Sequence, residues 1–204
     1  LTPMRLSMQS FERRFDPNNP NAKQKVKEFS KTIIQQIDNL SAIAGAFSDF
    51  AKLPAQQNEN LNAVEIIRLA LDIFNDNKIQ FSSEKEDIQI KFDRNQLIRI
   101  ITNLVKNAIQ ATEHLKNPII SVNIFSEDEN AIITVQDNGI GIPEDLQERI
   151  FEPRFTTKTS GMGLGLGMVK NIVETYKGDI KLTSKPDQGT IFTLKFPKSN
   201  THDI

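Results

Sequence analysis

The hydrophobic pattern changes character near Pro54. Before it, apolar residues between Ala22 and Lys52 recur at Val26, Ile33, Leu40 and Phe47, each seven positions after the last. Ile37, Ala44 and Ala51 follow the last three at four residues, and Phe29, Ile43 and Phe50 widen the stripe. A stripe that broad marks a helix buried in a bundle rather than a two-stranded seam. Such a helix of about 31 residues would run roughly 46 Å. Thr2 to Phe15 also reads as helical, with Pro3 tolerated near its first turn. Between the two stretches, Asp16-Pro17-Asn18-Asn19-Pro20-Asn21 is a cluster of turn formers that no helix crosses. The result is a helical hairpin. One hairpin buries too little surface alone, so two pairing across a two-fold axis into a four-helix bundle is the expected outcome, with packing onto the rest of the chain as the alternative.

Beyond Pro54 the periods alternate. Leu61 to Phe74 has helical spacing, and Ile79 to Ser83 and Ile88 to Phe92 alternate like strands. Asp93 to Lys116 is helical again, with Asp93 as N-cap. Ile119 to Ser126 and Ala131 to Gln136 form a strand pair around Glu127-Asp128-Glu129-Asn130. A long stretch bearing Gly and Pro precedes a helix from about Leu164 to Tyr176. The last two strands, Asp179 to Ser184 and Thr190 to Phe196, flank Pro186-Asp187-Gln188-Gly189. Helices and strands are mixed without regular alternation. An α+β fold, with helices packed on one face of a mixed or antiparallel sheet, fits better than a doubly wound sheet. The expected domains are residues 1–54, the hairpin, and 55–204.

Composition narrows the function. The chain has 204 residues, 25 Lys plus Arg against 26 Asp plus Glu, no Cys, no Trp and two His. The absence of cysteine excludes disulfides, thiolate metal sites and a cysteine nucleophile. His114 and His202 lie far apart with no second ligand type at metal-like spacing, which argues against a zinc enzyme. A net charge of −1 argues against a general nucleic-acid binder. No apolar run approaches the roughly 18 residues of a membrane span, and no signal-peptide layout is present.

Three clusters carry candidate chemistry. In Asn103-Leu104-Val105-Lys106-Asn107-Ala108-Ile109-Gln110-Ala111, the residues Asn103, Asn107 and Gln110 share one helical face. Amide oxygens are neutral hard ligands that suit Mg²⁺ when phosphates supply the charge, although a polar line can equally be a solvent-facing feature. Asp137-Asn138-Gly139-Ile140-Gly141-Ile142-Pro143 follows a strand. There Asp137 could accept from the exocyclic amine of adenine and leave guanine unpaired, while Asn-Gly also suits a plain hairpin turn. Gly161-Met162-Gly163-Leu164-Gly165-Leu166-Gly167 opens the last helix, where free N–H groups and the helix dipole suit phosphate. It fits neither a Walker loop nor the dinucleotide fingerprint, and a glycine run can be only a linker. Between the last two clusters, Phe151-Glu152-Pro153-Arg154-Phe155-Thr156-Thr157-Lys158 has the length of a lid.

Taken in order, NLVKNAIQA, DNGIGI, FEPRFTTK and GMGLGLG closely resemble the N box, first glycine box, phenylalanine box and second glycine box of sensor histidine kinases. These kinases belong to the GHKL ATPases, whose ATP-binding sandwich is of the Bergerat type. The resemblance covers roughly Ile79 to Pro197. Leu1-Thr2-Pro3 and the hairpin also resemble the dimerisation and phosphoacceptor helices of NtrY-like kinases. On that resemblance the chain is expected to start just past the phosphoacceptor histidine.

The resemblance implies that Asn107 ligates Mg²⁺ and Asn103 contacts ATP or its phosphates. It implies that Asp137 binds the adenine amine, Gly139 and Gly141 shape the pocket, and Thr190 lies near the base. Lys158 would reach the terminal phosphates, and Gly161, Gly163, Gly165 and Leu166 would form the phosphate turn. Arg154, Met162 and Gly167 depart from the usual aromatic, Thr and Ala, so the lid roles carry over less directly. The implied activity is transfer of the ATP γ-phosphoryl to a histidine and then to an aspartate of a response regulator receiver domain. The implied assembly is a homodimer, in the cytoplasm, of a membrane-anchored parent that does not bind nucleic acid. His114 and His202 read as exposed residues rather than acceptors, so the chain alone is expected to bind Mg-ATP without phosphorylating itself. The alternatives are another GHKL ATPase, an anti-sigma type serine kinase, or a non-catalytic nucleotide-binding module.

Overall fold

The computed structural model describes residues 8–13, 15–16, 19–34, 37, 57–74, 76, 78–152, 155 and 163–199. The chain divides into two compact units, Leu1–Leu53 and Pro54–Ile204.

In the first unit, residues 8–13 and 22–34 are helical, as is residue 37. The turn between them is built by Asn19, whose side chain accepts from Asn21 N at 2.9 Å and whose carbonyl accepts from Ala22 N at 2.8 Å. Phe11 stacks on Phe29 with ring centroids 4.0 Å apart, and on Phe15 at 5.1 Å. Val26 and Ile37 of the apolar stripe are exposed, as is Ile34 beside it, while Ile33 is half-buried. Its continuation from Leu40 to Ala51 lies outside the described residues.

Among its described residues the second unit has seven strands and three helices. Their order is β1 (Glu59–Asn62), α1 (Ala63–Asp72), β2 (Ile79–Ser83), β3 (Gln89–Phe92), α2 (Arg94–Thr112), β4 (Ile120–Glu127), β5 (Asn130–Asp137), α3 (Gly165–Thr175), β6 (Asp179–Lys185) and β7 (Gly189–Pro197). Two short 3-10 turns, Glu144–Leu146 and Arg149–Phe151, lie between β5 and α3. A five-stranded sheet runs β2-β4-β5-β7-β6, and β1 pairs with β3 in a separate two-stranded ribbon. Only β2 and β4 pair in parallel within the large sheet. The α+β arrangement with a mixed sheet is therefore as expected.

Alternation decides the faces. Val122 and Ile124 of β4, Ala131, Ile133 and Val135 of β5, and Phe192, Leu194 and Phe196 of β7 are buried on the side covered by helices. Helix α2 meets them with Leu97, Ile100, Ile101, Leu104, Val105 and Ala108, and α3 with Val169, Ile172 and Val173. Each buried Val, Leu, Ile or Phe side chain among these contributes about 1.5–3 kcal/mol. The outer face is a polar ladder in which Ser82 Oγ donates to Asn123 Oδ1 at 2.6 Å and Asn123 Nδ2 to Thr134 Oγ1 at 3.1 Å.

Two boundaries differ from the sequence reading. The segment that opens as a helix at Leu61 is a strand through Asn62, whose side chain caps α1 by accepting from Val64 N at 3.1 Å. Helix α2 ends at Thr112 rather than Lys116. Residues 113–117 are exposed, Leu115 included, so no burial holds another helical turn there. Asp93 does cap α2, accepting from Asn95 N at 2.9 Å and Gln96 N at 3.2 Å.

Candidate functional site

One rung at the end of the large sheet differs from all those inside it. Across β2, β4, β5, β7 and β6 it reads Ile79, Ile120, Asp137, Thr190 and Ser184. The next rung on the same face is Phe81, Val122, Val135, Phe192 and Leu182. The buried positions of the helix-covered face are thus apolar until its last rung, where two buried polar side chains, Asp137 and Thr190, stand side by side at 6% and 4% exposure. Asp137 Oδ1 accepts from Gly139 N at 2.8 Å, a local turn that fixes the carboxylate.

The segment after Asp137 is wedged between two elements. A Cβ on Gly139 would stand 2.6 Å from the Ala111 carbonyl oxygen, and Ile140 N donates to that same oxygen at 3.2 Å. Gly141 has φ +66°, and a Cβ there would overlap the Lys185 carbonyl. Only glycine fits such a left-handed turn against another backbone. Asn138 completes the clamp: its Oδ1 accepts from Ile119 N at 2.8 Å and its Nδ2 donates to Asn117 O at 3.0 Å.

Helix α2 supplies the other wall. Asn103 and Asn107 are half-buried at the margin of its apolar stripe, while Gln110 is exposed. Asn103 Nδ2 donates to Arg99 O at 2.7 Å, which turns its Oδ1 outward. That oxygen faces the start of α3, where a Cβ on Gly165 would lie 2.9 Å away. Among the described residues no side chain caps the α3 N-terminus, which leaves its first N–H groups for a ligand. Among the described residues the Asn107 amide has no hydrogen-bond partner. Gly163, at φ +63°, turns the chain into this helix, and Leu166 packs half-buried on the core. Along α2, Gly165 therefore approaches at Asn103 and Gly139 at Ala111, about 12 Å apart at 1.5 Å per residue, with Asn107 midway.

Among the described residues no three His, Asp or Glu side chains come together as a metal set, so a cation here would rely on amide and ligand oxygens. Lys158 and Gly161 lie outside the described residues, as do Pro153, Arg154 and Met162. The two aromatics of that stretch are anchored. Phe151 meets Phe192 edge-on with centroids 6.4 Å apart, and Arg149 lies 4.6 Å over the Phe155 ring.

Three residues of the site were not singled out from sequence. Ser184 Oγ sits among Ile142 N at 2.8 Å, Gly189 O at 2.9 Å and Thr190 Oγ1 at 3.0 Å. Gln147 Nε2 donates to Ile142 O and Ser184 O, both at 3.0 Å, tying the loop to β6. Asn138 is the third. Each acts through partners distant in the chain, so only the Asn-Gly turn signal at Asn138 was available in advance.

Comparison with known proteins places this geometry. The model of histidine kinase-, DNA gyrase B- and HSP90-like ATPases matches residues 92–200. The nitrogen regulation protein NtrY of Azorhizobium caulinodans is 30% identical over 195 residues, which is 92% of this chain and 25% of that protein. The chain thus spans a minor part of that relative's length. The solved catalytic domain of histidine kinase ThkA superposes with a TM-score of 0.63 at 33% identity, covering 70% of this chain and 96% of that one. ThkA in complex with response regulator protein TrrA gives a TM-score of 0.71 at 26% identity over 97% of this chain and 59% of that chain. Among the described residues no helix is long and apolar enough to cross a membrane. The chain belongs to the histidine kinase-, DNA gyrase B- and HSP90-like ATPase family and carries the ATP-binding catalytic domain of a sensor histidine kinase.

Proposed function

We propose that the site holds Mg-ATP with its base at Asp137 and its phosphates at the start of α3, and delivers the γ-phosphoryl to a histidine outside the two in this chain. The observation that carries this reading is the spacing along α2. The glycine segment of the base end touches the helix at Ala111, the phosphate turn touches it at Asn103, and Asn107 lies between them. Asp137 accepts from the exocyclic amine, and Thr190 beside it contacts the same edge. Gly139 and Gly141 let backbone lie against the base. The uncapped N-terminus of α3, with Gly163, Gly165 and Leu166, receives the phosphates.

The residues fit a magnesium ion. Asn107 offers a neutral hard oxygen beside the place where the phosphates would lie, and the phosphates supply the charge that the missing carboxylates do not. The ion would neutralise developing charge on the transferred group. The protein's own part is positioning: α2 and the rung hold the base, while α3 holds the phosphates in line with an incoming imidazole. His114 is exposed beyond the end of α2 and has no role in the site.

The parent protein then passes the phosphoryl group to a receiver-domain aspartate of a response regulator. Its first unit pairs two helical hairpins across a two-fold axis, and the kinase works on the cytoplasmic side of a membrane-anchored sensor. Exposed Val26, Ile34 and Ile37 support the pairing, being an apolar helical face left open in one chain.

The test is calorimetric titration of ATP with and without Mg²⁺ on the chain and on Asn107→Ala. The expected loss is tenfold or more, present only with the metal, since a charge-assisted contact is worth about 1.5–3 kcal/mol. Equal metal-dependent binding by the two proteins removes the Asn107 assignment. Acid-labile phosphate appearing on an added histidine-bearing helix, and lost in Asp137→Asn, identifies the transfer.

A further inference from the structure

The proton count around Ser184 fixes something that the backbone alone does not. A serine hydroxyl has one proton and two lone pairs. Ser184 Oγ has three neighbours: Ile142 N at 2.8 Å, Gly189 O at 2.9 Å and Thr190 Oγ1 at 3.0 Å. Ile142 N–H can only donate, so it takes one lone pair. The Gly189 carbonyl can only accept, so it takes the single proton of Ser184. What remains for Thr190 is the second lone pair, and Thr190 must donate to it.

A threonine hydroxyl is ordinarily a rotor that can donate or accept as the ligand requires. Here its proton is committed away from the site. Thr190 therefore presents lone pairs only, beside the carboxyl of Asp137, whose Oδ1 accepts from Gly139 N. The two side chains are cross-strand neighbours on one face of the rung, at a separation where side chains share a partner.

We propose that Ser184 is a specificity-positioning residue. By holding the Thr190 proton, it makes the rung a pair of acceptors matched to the two hydrogens of an exocyclic amine and closed to a 6-oxo purine. The inference rests on the reading that this site holds a purine nucleotide. Asp137 alone disfavours a carbonyl at that position, but a free threonine hydroxyl could turn and donate to the carbonyl, relieving the penalty. Ser184 removes that escape, so on this rung the wrong base faces two acceptors, and unpaired buried groups are where hydrogen-bonding sites gain selectivity.

The experiment compares Kd for Mg-ATP and Mg-ITP, which differ by amine against carbonyl at position 6, in the whole chain, in Ser184→Ala and in Ser184→Thr. In Ser184→Ala, the freed Thr190 hydroxyl is expected to narrow the ATP-to-ITP preference by about tenfold, the equivalent of one hydrogen bond, mostly through tighter ITP binding. Ser184→Thr keeps the hydroxyl and is expected to keep the preference. An unchanged ratio in Ser184→Ala overturns the proposal. So does a parallel loss of both nucleotides, which would mark Ser184 as a support for the β6–β7 turn. If Ser184→Ala does not fold, Thr190→Val serves instead: it must weaken ATP several-fold and leave ITP unchanged or tighter, and equal losses overturn the proposal. If the unaltered chain binds neither nucleotide, the purine reading itself has failed, a result separate from either outcome above.

Discussion

The two glycine segments of the site are built on opposite principles. Residues 139–141 are wedged against backbone: the Ala111 carbonyl on one side and the Lys185 carbonyl on the other. At residues 163–165 the close approach is at Gly165, where among the described residues a Cβ would meet a side-chain atom, Asn103 Oδ1. Backbone cannot yield without moving an element, whereas an amide can rotate. On the proposed reading, the base end is therefore a fixed mould, and the phosphate end is a surface that one side chain adjusts. A kinase that reads its base once and lets its phosphates react has use for both.

The contrast is open to breaking. The largest effect is expected at the mould. Gly141→Ala meets both a left-handed backbone and a carbonyl oxygen, and should cost about 3 kcal/mol or more, lowering the melting temperature by roughly 6–12 °C. A melt within two degrees of the unaltered protein, at about the sensitivity set by 1 kcal/mol, would show that the wedge yields. Gly165→Ala should change stability by less than about 1 kcal/mol, because helix propensity offsets the displaced amide, yet weaken ATP binding markedly. Unfolding by Gly165→Ala would erase the distinction between the segments.

The smallest effect sharpens what holds the adjustable segment in place, namely the far end of its helix. Tyr176, the C-cap of α3, stacks on Phe92 with ring centroids 3.6 Å apart and accepts from Asp93 N at 3.2 Å. Burial, opposed by that backbone bond and assisted by the Asp93 charge, raises its pKa above 10.0. The unfolded chain therefore releases this proton first. The contribution is fully present below about pH 10 and is lost as pH rises through the raised folded value. Urea melts between pH 9 and 12 should show a decline in unfolding free energy that is smaller in Tyr176→Phe. Identical slopes would remove Tyr176 as the source.

Much of this was legible in advance because it depends on short-range rules. Asp93 reads as an N-cap, and the alternation of β4, β5 and β7 assigns faces that the core obeys. Strand β1 was missed because Glu59-Asn60-Leu61-Asn62 has a single buried position and no alternation to recognise. The end of α2 was overrun because its residues remain good helix formers past Thr112, and only the lack of anything to pack against stops it. Motif order marked Asn103, Asn107, Asp137 and Thr190 as candidates. Ser184 and Gln147 were invisible, since their roles depend on atoms of Ile142, 42 and 5 residues away, meeting in three dimensions.

The turn between β4 and β5, where Asp128 holds φ +47°, lies at the opposite end of the eight-residue β5 from Asp137, roughly 24 Å away at 3.4 Å per residue. The buried alternation of Ala131, Ile133 and Val135 holds the register between them. A dye, an affinity tag or a few extra residues grafted at Asp128 would cost the Lys198 N to Glu129 O bond at the turn and leave the rung of Asp137 and Thr190 in register. That makes this turn the attachment point from which occupancy of the site could be followed by a reporter that never touches it.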